Sequence, residues 1–221
     1  MDEQNNVDNL SSSLTDLMTS LMVIFILLLL VFIQRTSVKD AVVTDVLLKK
    51  LRQDLTPQGF NENTIRSDPR DQNAILVIVP DRLMNFETGK STLRAEGQSF
   101  LKTFIPKFAE SLCSDQFRTS IESIVVQGHT DMVPYAGSSA EESQNLNLKL
   151  SQDRSMEVVK NTLADLTGLE ARRACFLQKL SATGRGEQEQ EATPEESRRV
   201  ILKIRIKAKD AESIERKLNL P

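Results

Sequence analysis

The stretch at residues 14–33 constrains this chain more than any other. It reads Leu14-Thr15-Asp16-Leu17-Met18-Thr19-Ser20 and continues Leu21-Met22-Val23-Ile24-Phe25-Ile26-Leu27-Leu28-Leu29-Leu30-Val31-Phe32-Ile33. About 20 residues at roughly 1.5 Å each give roughly 30 Å, the hydrocarbon thickness of a bilayer, so the stretch predicts one transmembrane helix. Asp16 is its only charge. A carboxylate at membrane depth is costly and by default marks a path for an ion or a proton.

The leader carries Asp2, Glu3 and Asp8 with no Lys or Arg, and Gln34-Arg35-Thr36 follows the apolar run. A cleaved signal peptide needs a basic start and a small-residue cleavage site, so this is an uncleaved anchor with residues 1–13 as a short tail. The cysteines, Cys113 and Cys175, lie far from the N-terminus and offer no thiol for lipid attachment there. Arg35, Lys39, Lys49 and Lys50 all follow the apolar run. Counted alone, they would put that side in the cytoplasm.

Residues 34–72 read as a juxtamembrane helix and a linker. Val38, Val42, Val46, Leu47, Leu51 and Leu55 recur at helical spacing up to Pro57 and Gly59. Such a stripe packs on a second copy of itself, or is a movable element that blocks an ion path. Residues 61–72 are polar and contain Pro69, the composition of a linker.

Residues 73–221 form the remaining domain. Strands are expected at 74–79, 121–127, 176–183 and 199–207, with helices at 93–112 and 148–166. Strands alternating with helices indicate one compact α/β or α+β domain, large enough for a single core. The acidic stretch 187–196 reads as a solvated loop.

A net charge of −3 and the lack of a basic, aromatic-studded face argue against a nucleic-acid partner. His129 is the only histidine, and no Cys or His pair has metal-ligand spacing, so no metal or other cofactor is expected. Beside a glycine at a strand end, His129 reads as a structural hydrogen-bonder or as a catalyst. No phosphate-binding glycine loop or Ser-His-Asp order can be assembled, and an enzyme is not expected.

What can be assembled is Gly128-His129-Thr130-Asp131 after the second strand and Asn147-Leu148-Lys149-Leu150-Ser151-Gln152-Asp153-Arg154 opening the next helix. Asp131 is able to accept hydrogen bonds from an ammonium, and Arg154 to grip a carboxylate with two parallel bonds. A zwitterionic amino-acid centre satisfies both. Asn147 and Ser151 also read as helix caps, and Arg154 as a surface ion pair.

These segments, with Phe86-x-x-Gly89-x-Ser91-x-Leu93, Gly184-x-Gly186-Glu187 and Ser197-Arg198-Arg199-Val200, resemble the OmpA-like peptidoglycan-binding domain over about residues 75–207. The resemblance implies a β-α-β-α-β-β sandwich of α+β class that holds the diaminopimelate of the cell-wall stem peptide. Thr130, Asp131, Asn147, Leu150, Ser151 and Arg154 stand at the matching positions. Thr130-Asp131-x-x-Pro134 with a long loop to Asn147 is similar to the MotB branch, the flagellar stator subunits.

Thr15-Asp16-Leu17-Met18-Thr19 resembles the segment in which that branch carries its ion-accepting aspartate. The resemblance implies a homodimer inside a ring of five copies of a multi-helix, MotA-like subunit, with H⁺ or Na⁺ passing Asp16. The short acidic tail and the compact length are similar to the ZorB-type subunits of Zorya anti-phage defence systems, whose ring subunit is of ZorA type. A flagellar stator subunit and a passive membrane-to-wall tether, with Asp16 merely capping a helix, are the alternatives. A wall-binding domain belongs outside the bacterial inner membrane, so the resemblance implies a cytoplasmic N-terminus and a periplasmic domain, against the count of basic residues. In that oxidising compartment Cys113 and Cys175, each after a helix and before a strand, are expected to form a disulfide.

Overall fold

The computed structural model describes residues 2–207 of the chain, with side chains at 16–31 and 43–207. Two compact units divide it, Met1–Lys39 and Asp40–Pro221. The first helix, α1 (Asp2–Leu55), supplies all of the described first unit and the beginning of the second.

In the first unit the large apolar side chains at 17–31 are all exposed, between 41% and 68%. A helix that is apolar all round normally has something other than water against it. Among the described residues no helix is long and apolar enough to cross a membrane. The span expected at 14–33 begins and ends outside the residues whose side chains are described.

In the second unit α1 contributes Val43, Leu47, Leu51 and Leu55, spaced by four, and each is buried. They enter one apolar core with Phe60, Ile65, Phe104 and Val77. The stripe read from the sequence therefore packs on its own domain, where a second copy was one expectation. Its members Val38 and Val42 lie outside the described side chains. Arg52 donates from Nε to the Ile65 carbonyl at 3.0 Å, and Ser111 donates to Asp54 at 2.7 Å, fastening the helix end on both sides.

The sheet comprises β1 (Ile65–Asp68), β2 (Asp71–Pro80), β3 (Ile121–His129), β4 (Leu180–Gly184) and β5 (Arg199–Ile206) in the order β1-β2-β5-β3-β4. Its helices are α2 (Asp81–Met84), α3 (Ala95–Leu112), α4 (Ala140–Asp165), α5 (Glu170–Leu177) and α6 (Pro194–Ser197). The fold is mixed α+β with one sheet. Period-two alternation sends Ile75, Val77 and Val79 of β2 and Val200, Leu202, Ile204 and Ile206 of β5 into the core. Phe100, Phe104 and Phe108, one per turn of α3, stack at 5.1–5.4 Å between centroids, and Phe60 stacks on the middle ring, Phe104, at 5.3 Å.

Three boundaries differ from the sequence reading. The linker expected at 61–72 contains β1 and the start of β2, because Ile65 pairs opposite Val77 and is fully buried. Phe176, expected in a strand, lies in α5 and meets Phe108 edge-on at 6.0 Å. The second long helix begins eight residues before 148, at Ala140, where Ser139 and Glu142 form reciprocal caps: the Ser139 hydroxyl accepts from the Glu142 amide and the Glu142 carboxylate accepts from the Ser139 amide. Cys113, which caps α3, is bonded to Cys175 in α5, with Cα atoms 6.2 Å apart.

Candidate functional site

Strands β2 and β3 both run antiparallel to β5, and β4 runs parallel to β3. The C-terminal ends of three strands and the start of β5 therefore meet at one end of the sheet. Loops leave the scaffold there, the place where a rigid frame presents chemistry.

Helix α4 lies so close on this end that side chains are excluded beneath it. A Cβ on Gly128 would stand 2.1 Å from the Ser151 carbonyl oxygen, and one on Gly184 would stand 2.6 Å from the Gln152 nitrogen. The face that α4 buries is mostly small and polar: Ser143, Asn147, Ser151, Arg154, Ser155, Val158 and Thr162. Close backbone packing substitutes here for an apolar stripe.

A cleft of about 540 Å³ opens above, lined by Asp81, Phe86, Gly89, Thr130, Asp131, Tyr135, Asn147, Leu150, Arg154 and Arg198 among others. Arg154 stands about four turns into α4, where the sequence reading has its segment opening the helix. Its side chain is only 6% exposed. Nε donates to the Lys90 carbonyl at 3.0 Å and the guanidinium lies 4.8 Å from the centroid of the Phe86 ring. No hydrogen bond engages its terminal nitrogens among the described residues, and Nη1 is 3.9 Å from Asp81 Oδ1. Burial pulls its pKa down and Asp81 opposes that. A guanidinium fixed by its Nε, with a fork left over, suits a carboxylate.

Across the cleft, Asp131 accepts from Arg198 Nη1 at 2.5 Å and from the Val133 amide at 3.1 Å. That bond to Asp131 is the main reason the Arg198 guanidinium is held above its ordinary pKa. The Asp81 carboxylate accepts no hydrogen bond among the described residues and stands 3.8 Å from Arg198 Nε. Burial raises its pKa, and the two guanidiniums pull it back.

The other sequence-derived residues divide by role. Thr130 and Leu150 line the cleft, and the Thr130 hydroxyl is buried with no partner among the described residues. Asn147 lines it too and donates to Glu187 at 2.8 Å. Ser151 does not reach it. Its hydroxyl donates to the Leu148 carbonyl and accepts from the Gly186 amide at 2.9 Å, while the Gly186 carbonyl accepts from the Thr130 amide at 2.9 Å. Ser151 thus positions the strand ends from below.

Asp81 and the pairing of Arg198 were not read from the sequence. Arg198 stands in a quoted motif, but nothing local distinguishes Asp81 from a helix-starting aspartate. Its only sequence signal is its place at the end of a β-branched run, opposite a strand paired much later. Among the described residues no three His, Cys, Asp or Glu side chains converge as a metal site.

On the sheet's outer face a second, polar cluster holds down the segment 185–198. His129 ends β3 there, with Nδ1 3.0 Å from the Gln188 carbonyl. A carbonyl only accepts, so Nδ1 carries the proton. Burial pushes the ring pKa down to about 4, keeping it neutral. Arg199, 4% exposed, donates to the carbonyls of Glu189, Glu196 and Ser197 and pairs with Glu191 at 3.2 Å. Glu189, at a left-handed φ of 60°, receives both Arg70 and Arg185.

The domain is thus a single-sheet α+β fold with a cleft at its strand ends that is lined by charges of both signs. The OmpA family profile matches residues 85–201, just over half of the sequence, and the chain belongs to that family. Among solved structures, a putative MotB-like protein from Desulfovibrio vulgaris is 21% identical with a TM-score of 0.53, over 76% of this chain and 96% of that one. The periplasmic domain of Helicobacter pylori MotB is 15% identical with a TM-score of 0.49, over 70% and 86%. The T6SS cell-wall anchor from Pseudomonas aeruginosa is 23% identical with a TM-score of 0.46, over 73% and 97%. At these identities the likeness concerns the fold. No curated protein matches the chain.

Proposed function

We propose that the cleft holds the diaminopimelate of the cell-wall stem peptide and that this chain is a wall anchor in the bacterial envelope. The observation that carries this reading is the free fork of Arg154 facing Asp131 across one cleft. The reading is tested by retention of the full-length chain, in detergent, on isolated sacculi. Arg154→Ala and Asn147→Ala together should abolish retention; wild-type-like retention of that double variant would sink it.

We further propose that the anchor belongs to an ion-driven rotary motor of the Zorya defence type. Its chain would be a homodimer inside a ring of five ZorA-type subunits, with the N-terminus cytoplasmic and the domain periplasmic. Support comes from the exposed apolar surface at 17–31, which suits lipid or a ring of partner helices. Asp16 also supports it: α1 starts at Asp2, so Asp16 lies well inside the helix and caps no helix start. A carboxylate there is positioned to bind and release H⁺ or Na⁺, each passage drawing about 2.3 kcal/mol per 100 mV from the field. The test is phage plaquing on cells carrying the gene with its native neighbours. Protection should vanish in Asp16→Asn at matched expression, and survival of protection removes the ion role.

A further inference from the structure

The cleft contains two carboxylates and two guanidiniums, and they are unequally engaged. Arg154 is immobilised by the Lys90 carbonyl and the Phe86 ring. Arg198 is 31% exposed and reaches Asp131, Glu195 at 3.2 Å, and, across a gap of 3.8 Å, Asp81. Each Asp131 oxygen already accepts one hydrogen bond, Oδ2 from the Arg198 guanidinium and Oδ1 from the Val133 amide. Asp81 lies between the two guanidiniums and bonds to neither.

An ammonium approaching Asp131 therefore meets a cation already bound there. Resting on the wall-binding reading, we propose that Arg198 is a resident competitor for Asp131 and that Asp81 is the acceptor it moves to when a ligand's ammonium displaces it. A displacement of about 1 Å brings Arg198 Nε from its present gap to hydrogen-bond distance of Asp81.

Counting charges shows what this arrangement selects. A centre bearing both ammonium and carboxylate leaves three matched pairs: ammonium with Asp131, carboxylate with Arg154, Arg198 with Asp81. An ammonium alone leaves Arg154 and Arg198 sharing one carboxylate. A carboxylate alone leaves Arg198 on Asp131 and Asp81 without a partner. Unpaired charge in a partly buried site is unfavourable, so either half of the ligand binds worse than the whole. Asp81 and Arg198 are thereby specificity-determining residues, acting through Asp131 rather than by touching the ligand.

The test is calorimetric titration of the full-length chain in detergent with meso-diaminopimelate, comparing wild type, Arg198→Gln, Asp81→Asn and the double variant. Removing the competitor should tighten binding by about tenfold, the scale of one charged hydrogen bond. Removing its second berth should weaken binding by a similar factor. The double variant should bind no more weakly than Arg198→Gln, because the second berth matters only while Arg198 is present and Asp81's other neighbour, Arg154, is left freer for the ligand's carboxylate. The two single variants fold or fail independently, so each decides a direction by itself. Weaker binding by Arg198→Gln, unchanged binding by Asp81→Asn, or a further loss on adding Asp81→Asn to Arg198→Gln overturns the relay and makes these residues direct ligand contacts or bystanders. Absence of wild-type binding also overturns it, and retention of the same preparation on sacculi then tells whether the wall reading falls with it.

Discussion

Two clefts of this domain are rich in arginine, and they differ in what answers the charge. On the outer face, a cleft of about 370 Å³ includes Arg70, Arg185 and Arg199, and the chain's own Glu189 and Glu191 receive them. At the strand ends, Arg154 gives one nitrogen to the protein and keeps its fork free. A cluster whose three arginines all meet acceptors of the chain at close range holds a segment in place. A guanidinium whose fork has only a long ion pair to Asp81, at 3.9 Å, keeps its hydrogen-bonding capacity for something else.

The largest expected effect follows from breaking the outer cluster. Arg199→Ala strips three carbonyls and Glu191 of their donor and should lower the unfolding free energy by about 3–5 kcal/mol. Urea unfolding checks this, and a loss below that of Arg154→Ala would remove the contrast between the clefts. Next comes acid. The folded pKa of His129 lies near 4 against an ordinary 6.5, so between those values the unfolded chain binds one more proton than the folded one. The stability contributed by neutral His129 is complete above pH 6.5, falls as pH drops through the window by about 3 kcal/mol, and is flat below it. His129→Gln should flatten that slope above pH 4.5, whereas parallel curves for variant and wild type would remove His129 as the cause. The smallest change in stability should come from Arg154→Ala, about 1–2 kcal/mol, because one hydrogen bond and a ring contact are lost. Under the proposed wall-anchor function, its effect should appear in retention on sacculi instead. Equal losses of stability and retention would mean that the open fork is as structural as the outer cluster.

The sequence displays some of this contrast and hides the rest. Strands β2 and β5 are legible because Ile75-Leu76-Val77-Ile78-Val79 and Val200-Ile201-Leu202 are β-branched and apolar. Asp131 and Arg154 are legible because they stand in motifs at fixed offsets. The first turns of α4 are not, since their buried face is Ser143 and Asn147, where hydrophobic periodicity has nothing to detect; the Ser139-x-x-Glu142 cap was the available signal. Asp81 joins the cleft only when β2 pairs with β5, Pro80 opposite Arg199. A contact across more than a hundred residues leaves no local trace. Leu51 and Leu55 displayed an amphipathic stripe correctly, but periodicity does not say which surface the stripe meets.

The sheet order carries a consequence for how the molecule is made. Strand β5 is the last strand among the described residues, yet it lies between β2 and β3 and hydrogen-bonds to both. A chain emerging N-terminus first has β1 with β2, and β3 ready for β4, but no strand hydrogen-bonds these halves into one sheet until residue 206 is free. Until then the apolar edges of β2 and β3 stand open, and any truncation before β5 leaves two half-sheets with sticky sides. Because Arg198 stands immediately before that strand and is placed by its pairing, the cleft is complete only once that strand is inserted.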